Sequence, residues 1–171
     1  SDKKTLKIIN VGRFTDQKDH LTLLNAANIL KRKIKFKLLI IGRGSNKKKM
    51  ISYIQQNNLT KFIKLINFKK NPYPYIKKSD LFILSSRYEG LPNVLLEALT
   101  LKKFIISSNC PTGPSEILDN GKGGLLFKVG DHHNLVKKIN YFVLNKKKCE
   151  QKLRYANKRL SRFDYNYNLK K

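Results

Sequence analysis

The stretch SSRYEGLPNVLLEAL, residues 85–99, carries two carboxylates, Glu89 and Glu97, separated by a Gly-Leu-Pro step and set in an otherwise apolar run. Burying a carboxylate without a partner costs several kcal/mol. Each therefore calls for a cation, a helix amino terminus or the hydroxyl groups of a ligand. A second stretch, VGRFTDQKDH at 11–20, supplies cations: Gly12 lets the backbone approach a ligand, and Arg13 and Lys18 sit ahead of a predicted helix. Guanidinium groups and helix amino termini suit phosphate oxygens. Carboxylates suit vicinal hydroxyls, and a nucleotide sugar carries both hydroxyls and phosphates. Plainer readings stand beside this one. Glu89 can cap its own helix, Glu97 can be half-exposed or paired with a lysine, and Arg13 and Lys18 can be ordinary loop cations.

These residues need a frame. Short apolar runs at 7–11, 37–41, 63–66, 81–84, 104–107 and 123–127 read as buried strands, and helical spacing covers 20–33, 46–57, 92–101, 132–144 and 147–162. Leu21, Leu24, Ile29 and Leu30 are expected to share the buried face of the first helix, and Asp131 is a suitable N-cap for the fourth. The apolar run after Pro92 is expected to bury most of its helix's circumference. Strand and helix in alternation predict an α/β fold, a Rossmann-like doubly wound parallel sheet of about six strands flanked by helices. Ligands bind such sheets at the carboxyl ends of the strands, where both chemical stretches fall. With 171 residues and no linker-like segment, one domain over 1–171 is expected.

The remaining strand ends carry weaker signals. Gly42 and Gly44 flank Arg43, a Gly-x-Gly short of the dinucleotide fingerprint and equally consistent with a tight turn. Gly90 permits unusual backbone conformations, and Pro92 suits a first helical turn. Tyr73 and Tyr75 read as packing residues. His20, His132 and His133 lack metal-ligand spacing and are expected at the surface or in caps. Asp-x-Asp and HExxH motifs do not occur. No metal or cofactor is therefore expected, and a departing diphosphate would be neutralised by Arg, Lys and helix dipoles.

Composition leaves one outlier. Lys and Arg number 37 against 11 Asp and Glu, a formal charge of +26. Such excess suits polyanions, yet the lysines run throughout the chain and read mainly as a solvated surface. No helix-turn-helix, RRM aromatic pair or zinc finger supports a nucleic-acid partner. Cys110 and Cys149 match neither a metal-ligand nor a redox spacing, and are expected buried or idle in a reducing compartment. No apolar stretch is long enough for a membrane span and no signal-peptide core opens the chain, so a soluble, cytoplasmic location is expected. Both ends are abrupt, as in a piece of a longer protein.

Five blocks together, VGRFTDQKDHLTLLNA, LLIIGRGSNKKKM, NPYPYIKKSDLFILSSRYEGLPNVLLEAL, CPTGPSEIL and GKGGLLFKVGD, resemble the carboxyl-terminal, donor-binding domain of the retaining GT-B glycosyltransferases of family 4, glycosyl transferases group 1. The resemblance covers nearly the whole chain. It implies that Glu89 contacts hydroxyls of the transferred sugar and Glu97 those of the ribose. Main-chain groups from Gly90 through Leu91, Pro92 and Asn93 to Val94, Pro92 lacking an N–H, would cradle the distal phosphate and sugar. Arg13 and Lys18, beside Gly12, would stabilise the departing diphosphate; Arg43 and the main chain at Asn67 and Phe68 would hold the base.

The resemblance further implies that residues 147–171, ending in SRFDYNYNLKK, lead into a helix crossing to an amino-terminal acceptor domain that this chain lacks. The fragment alone is then expected to transfer little sugar. Its donor is expected to be a UDP-hexose or UDP-N-acetylhexosamine, and its acceptor a cell-surface or lipid-linked glycan. The positive charge would allow peripheral association with an anionic membrane. A sugar-nucleotide epimerase built on the same donor half, and a basic nucleic-acid-binding protein, are the alternatives.

Overall fold

The computed structural model describes residues 4–163. In chain order the elements are β1 (Leu6–Val11), α1 (His20–Leu30), β2 (Phe36–Gly42), α2 (Lys47–Gln56), β3 (Ile63–Asn67), α3 (Tyr73–Lys77), β4 (Leu81–Leu84), α4 (Asn93–Thr100), β5 (Phe104–Ser108), α5 (Pro114–Ile117), β6 (Leu125–Phe127), α6 (His132–Leu144) and α7 (Lys146–Lys158). One-turn 3-10 helices precede α1 at Asp16–Lys18, follow α5 at Asp119–Gly121 and follow α7 at Leu160–Phe163. The six strands lie in the order β3-β2-β1-β4-β5-β6, and every neighbouring pair is parallel. This is the doubly wound arrangement expected, with its switch point between β1 and β4.

Alternation along the strands feeds two cores. Ile8, Leu38, Ile40 and Ile83 face α1, α2 and α6. Ile9, Ile41, Phe82 and Ile105 face α3, α4, α5 and α7. Burial on both faces is why the strands read as continuous apolar runs.

Several expectations shift in detail. Leu21 is 55% exposed; at about 100° per residue it lies opposite Leu30, nine positions on. Leu23 and Ala27 join Leu24 and Leu30 in the buried stripe instead. The last strand begins at Leu125 rather than residue 123. The final predicted helix stops at Lys158, and the DYNYNLKK end of the crossover segment, beyond Phe163, lies outside the described residues. Asp131 caps α6 as expected, accepting from the Asn134 amide at 2.8 Å. Both cysteines are buried and free. No helix among the described residues is long and apolar enough to cross a membrane.

Candidate functional site

At the end of β1 the chain turns at Gly12, passes Arg13 and the 3-10 turn ending in Lys18, and enters α1 through Asp19. That residue holds a left-handed conformation (φ 46°) while its carboxylate accepts from the Thr22 amide and hydroxyl. The turn is fixed from two sides. The Ser85 hydroxyl at the end of β4 donates to the Lys18 carbonyl at 3.0 Å, and Gly42 at the end of β2 presses so closely that a Cβ there would lie 2.0 Å from the Gly12 oxygen. The same loops are tied by a bond from the Phe14 amide to the Arg43 carbonyl, 2.9 Å.

Lys18 and Glu89 meet. The Lys18 ammonium donates to Glu89 Oε1, the two side chains being 16% and 7% exposed. The Ser86 hydroxyl donates to that same oxygen at 2.7 Å, and Oε2 takes no partner among the described residues. Behind them a second layer of hydrogen bonds holds the loop. Ser108 donates to the Ser86 carbonyl at 2.6 Å, and Thr112 donates to the Glu89 carbonyl at 2.6 Å. Gly113 (φ 71°) lies against Gly90, where a Cβ would come 2.0 Å from the Gly90 oxygen. The buried Cys110 thiol lies close enough to feel both charges, although burial is the main cause pushing its pKa up.

Glu89 thus does not cap α4. No side chain caps that helix, and Pro92 is its N-cap in an extended conformation rather than its first helical residue. Asn93 and Val94, as the first two helical residues, have amides with no acceptor inside the helix. Gly90 has an ordinary φ, so its expected backbone role does not apply. What distinguishes it is open space, with nothing within 4 Å of where a Cβ would stand. The α4 helix buries only Leu95, Ala98 and Leu99. Its apolar composition overstated its burial, because the flank bearing Glu97 is half-exposed. Beside Glu97 stands Tyr73, 41% exposed and not the packing residue expected; the Glu97 charge is the main cause raising its phenol pKa. Tyr75 does pack, against the second core.

The third group gathers at the ends of β2 and β3. The Arg43 guanidinium lies 4.6 Å from the Phe68 ring centroid, and Lys47 donates to the Asn67 side chain at 2.8 Å. Phe68 is 53% exposed. Arg13 is exposed on the β1 loop, and the cation that reaches Glu89 is Lys18.

His20 reverses its surface expectation. It is 3% exposed, with Nε2 at 2.9 Å from Asn10 Oδ1 and its ring edge-on to Phe14. Asn10 donates its amide to the Ile83 carbonyl, so its Oδ1 accepts from His20 Nε2–H, leaving buried Nδ1 without a partner among the described residues. Burial first, then the Lys18 charge, lowers its pKa to about 4. Reading the sequence missed this buried group, as it missed Ser86, Ser108, Thr112 and Gly113. The "SS" pairs and CPTGP were visible, but Ser86 meets a carboxylate of its own loop, and Ser108 and Thr112 donate to backbone carbonyls of the loop after β4. A groove of about 740 Å³ runs along the amino-terminal halves of β1–β3 beside Lys7, Lys37 and Lys64 and reaches Lys47, but its lining does not include Lys18 or Glu89.

Comparison with known proteins fits the geometry. A family model, "Glycosyl transferases group 1", matches residues 1–159. An uncharacterized glycosyltransferase of Methanocaldococcus jannaschii is 40% identical over 117 residues, 68% of this chain and 29% of the relative. A Campylobacter jejuni protein named N-acetylgalactosamine-N,N'-diacetylbacillosaminyl-diphospho-undecaprenol 4-alpha-N-acetylgalactosaminyltransferase is 32% identical over 128 residues, 75% of this chain and 34% of that protein. A crystal structure of S. aureus TarM with fondaparinux, alpha-GlcNAc-glycerol and UDP matches 99% of this chain and 35% of its own, at a TM-score of 0.86 and 22% identity. The chain thus spans about a third of these proteins' length. From the sheet order, the paired charges at the strand ends and a family model covering residues 1–159, the chain belongs to the glycosyl transferases group 1 family.

Proposed function

We propose that this chain is the nucleotide-sugar-binding half of a retaining, family 4 glycosyltransferase, completed by an amino-terminal acceptor domain. The observation that carries this reading is the Lys18–Glu89 pair at the mouth of the sheet, with one carboxylate oxygen open to a ligand, beside a helix amino terminus that no side chain caps. Lys18, Arg13 and the amides of Asn93 and Val94 would oppose charge developing on the departing diphosphate. Glu89 Oε2 would accept from sugar hydroxyls, Glu97 from ribose hydroxyls, and Arg43, Phe68 and Asn67 would border the base. Sugar would leave and be received on one face through an oxocarbenium-like transition state. Glu89 is tied through Oε1 to Lys18 and Ser86, which suits gripping hydroxyls better than forming a covalent intermediate.

UDP as the nucleotide is supported by its presence in the TarM complex, and an undecaprenol-linked glycan acceptor by the name of the Campylobacter relative. The donor would be a UDP-hexose or UDP-N-acetylhexosamine, and the reaction metal-independent, so donor binding should survive EDTA. Family membership favours transfer over the epimerase and nucleic-acid readings. The charge of +26 supports a cytoplasmic protein resting on an anionic membrane face; equal binding to neutral and anionic liposomes at low salt would remove that part. Calorimetry with UDP, GDP, ADP and their sugars tests the core reading. One diphosphate should be preferred, Arg13→Ala and Glu97→Ala should lose it, and no response at millimolar ligand would falsify the proposal.

A further inference from the structure

We infer that Glu89 makes the site discriminate between a loaded donor and its spent nucleoside diphosphate, because both the carboxylate and the diphosphate draw on the Lys18 ammonium. This rests on the donor-site reading above. In the unliganded chain Lys18 donates to Glu89 Oε1 inside a largely buried pocket, where charges are screened weakly. A diphosphate arriving at Lys18 sets its negative charges beside that carboxylate. A sugar still attached brings hydroxyl donors to Oε2, which offset the repulsion. Once the sugar has gone, nothing replaces those donors, and carboxylate and diphosphate compete for one cation.

Glu89 has little freedom to withdraw. Ser86 holds its Oε1 at 2.7 Å, and Ser108 holds the Ser86 carbonyl at 2.6 Å. Thr112 holds Glu89's own carbonyl at 2.6 Å. The strand ends thus keep an anion fixed against the leaving group's position. Its effect is to weaken retention of the product while leaving the donor tolerated.

Opposite signs are the signature. Glu89→Gln keeps the shape and an acceptor oxygen but removes the charge. It is expected to bind UDP about tenfold more tightly than the parent chain, a change of about 1.4 kcal/mol, and to bind UDP-sugars more weakly. A merely structural role would move both affinities the same way. The experiment is calorimetry of parent and variant with UDP, UDP-glucose, UDP-N-acetylglucosamine and UDP-N-acetylgalactosamine, with circular dichroism to check folding. Tighter UDP with weaker UDP-sugar supports the inference. Both affinities falling together, or UDP unchanged, overturns it and leaves the donor site standing. A parent chain that binds none of these ligands overturns both. Should Glu89→Gln not fold, the parent chain decides alone: tighter binding of UDP than of every UDP-sugar overturns the inference, and the reverse order supports it.

Discussion

The two corners of the site are built differently. At the Lys18–Glu89 corner the charges are largely buried and held by Ser85, Ser86, Ser108 and Thr112 through bonds from the ends of β4 and β5. At the Arg43–Phe68 corner the guanidinium lies over an exposed ring, and a lysine reaches a side-chain amide. Groups that meet developing charge work only at fixed positions. A flat ring can be met by a mobile cation and a half-open aromatic face. On the proposed reading, one corner would serve placement and the other contact, and substitutions should separate them.

The largest effect is expected at Lys18. Lys18→Ala leaves Glu89 as a buried, unpaired carboxylate and should cost about 4 kcal/mol, read as a lower urea midpoint, whereas Glu89→Gln should cost far less. An equal cost for both would mean that the pair is not what stabilises this corner. Next comes pH. His20 has a folded pKa of about 4, below its ordinary value of 6.5, so the unfolded chain takes up the proton first as pH falls. Its stabilising contribution is complete above about pH 6.5 and is lost between there and about 4, roughly 3 kcal/mol in all. The urea midpoint of the parent chain should decline across that window, and His20→Gln should flatten the decline.

Gly42→Ala follows, at about 2 kcal/mol from the clash with the Gly12 oxygen. Gly90→Ala, with open space around it, should leave thermal stability within about 0.5 kcal/mol while weakening donor binding. Were Gly90→Ala the more damaging to folding, the open space there would have no role in the site. Last is Phe68→Ala, expected to cost about 1 kcal/mol of nucleotide affinity with no change in melting temperature. A large loss of stability would show that the exposed corner is structural after all.

Much of this plan is legible in sequence for a physical reason. Six buried parallel strands leave apolar runs, and the residues just beyond their carboxyl ends share one side of the sheet, so Glu89, Lys18, Arg43 and Phe68 can be placed there without coordinates. Interactions across the sheet are not legible. Ser86 and Ser108 read as ordinary strand ends until β4 and β5 are set in register. His20 reads as a helix-start surface residue until Asn10 turns toward it across the loop. Tyr73 reads as packing because aromatic residues usually are, and only the placement of a short helix brings it to Glu97. Helix ends drift because their caps depend on partners outside the local run.

The close fit of Gly42 against Gly12, with the bond from Phe14 to Arg43 beside it, leaves no clearance between the loops after β1 and β2. Neither can shift without carrying the other. On the proposed reading, the two loops would act as a ruler whose length is set before any ligand arrives, selecting by its span a molecule that grips both ends.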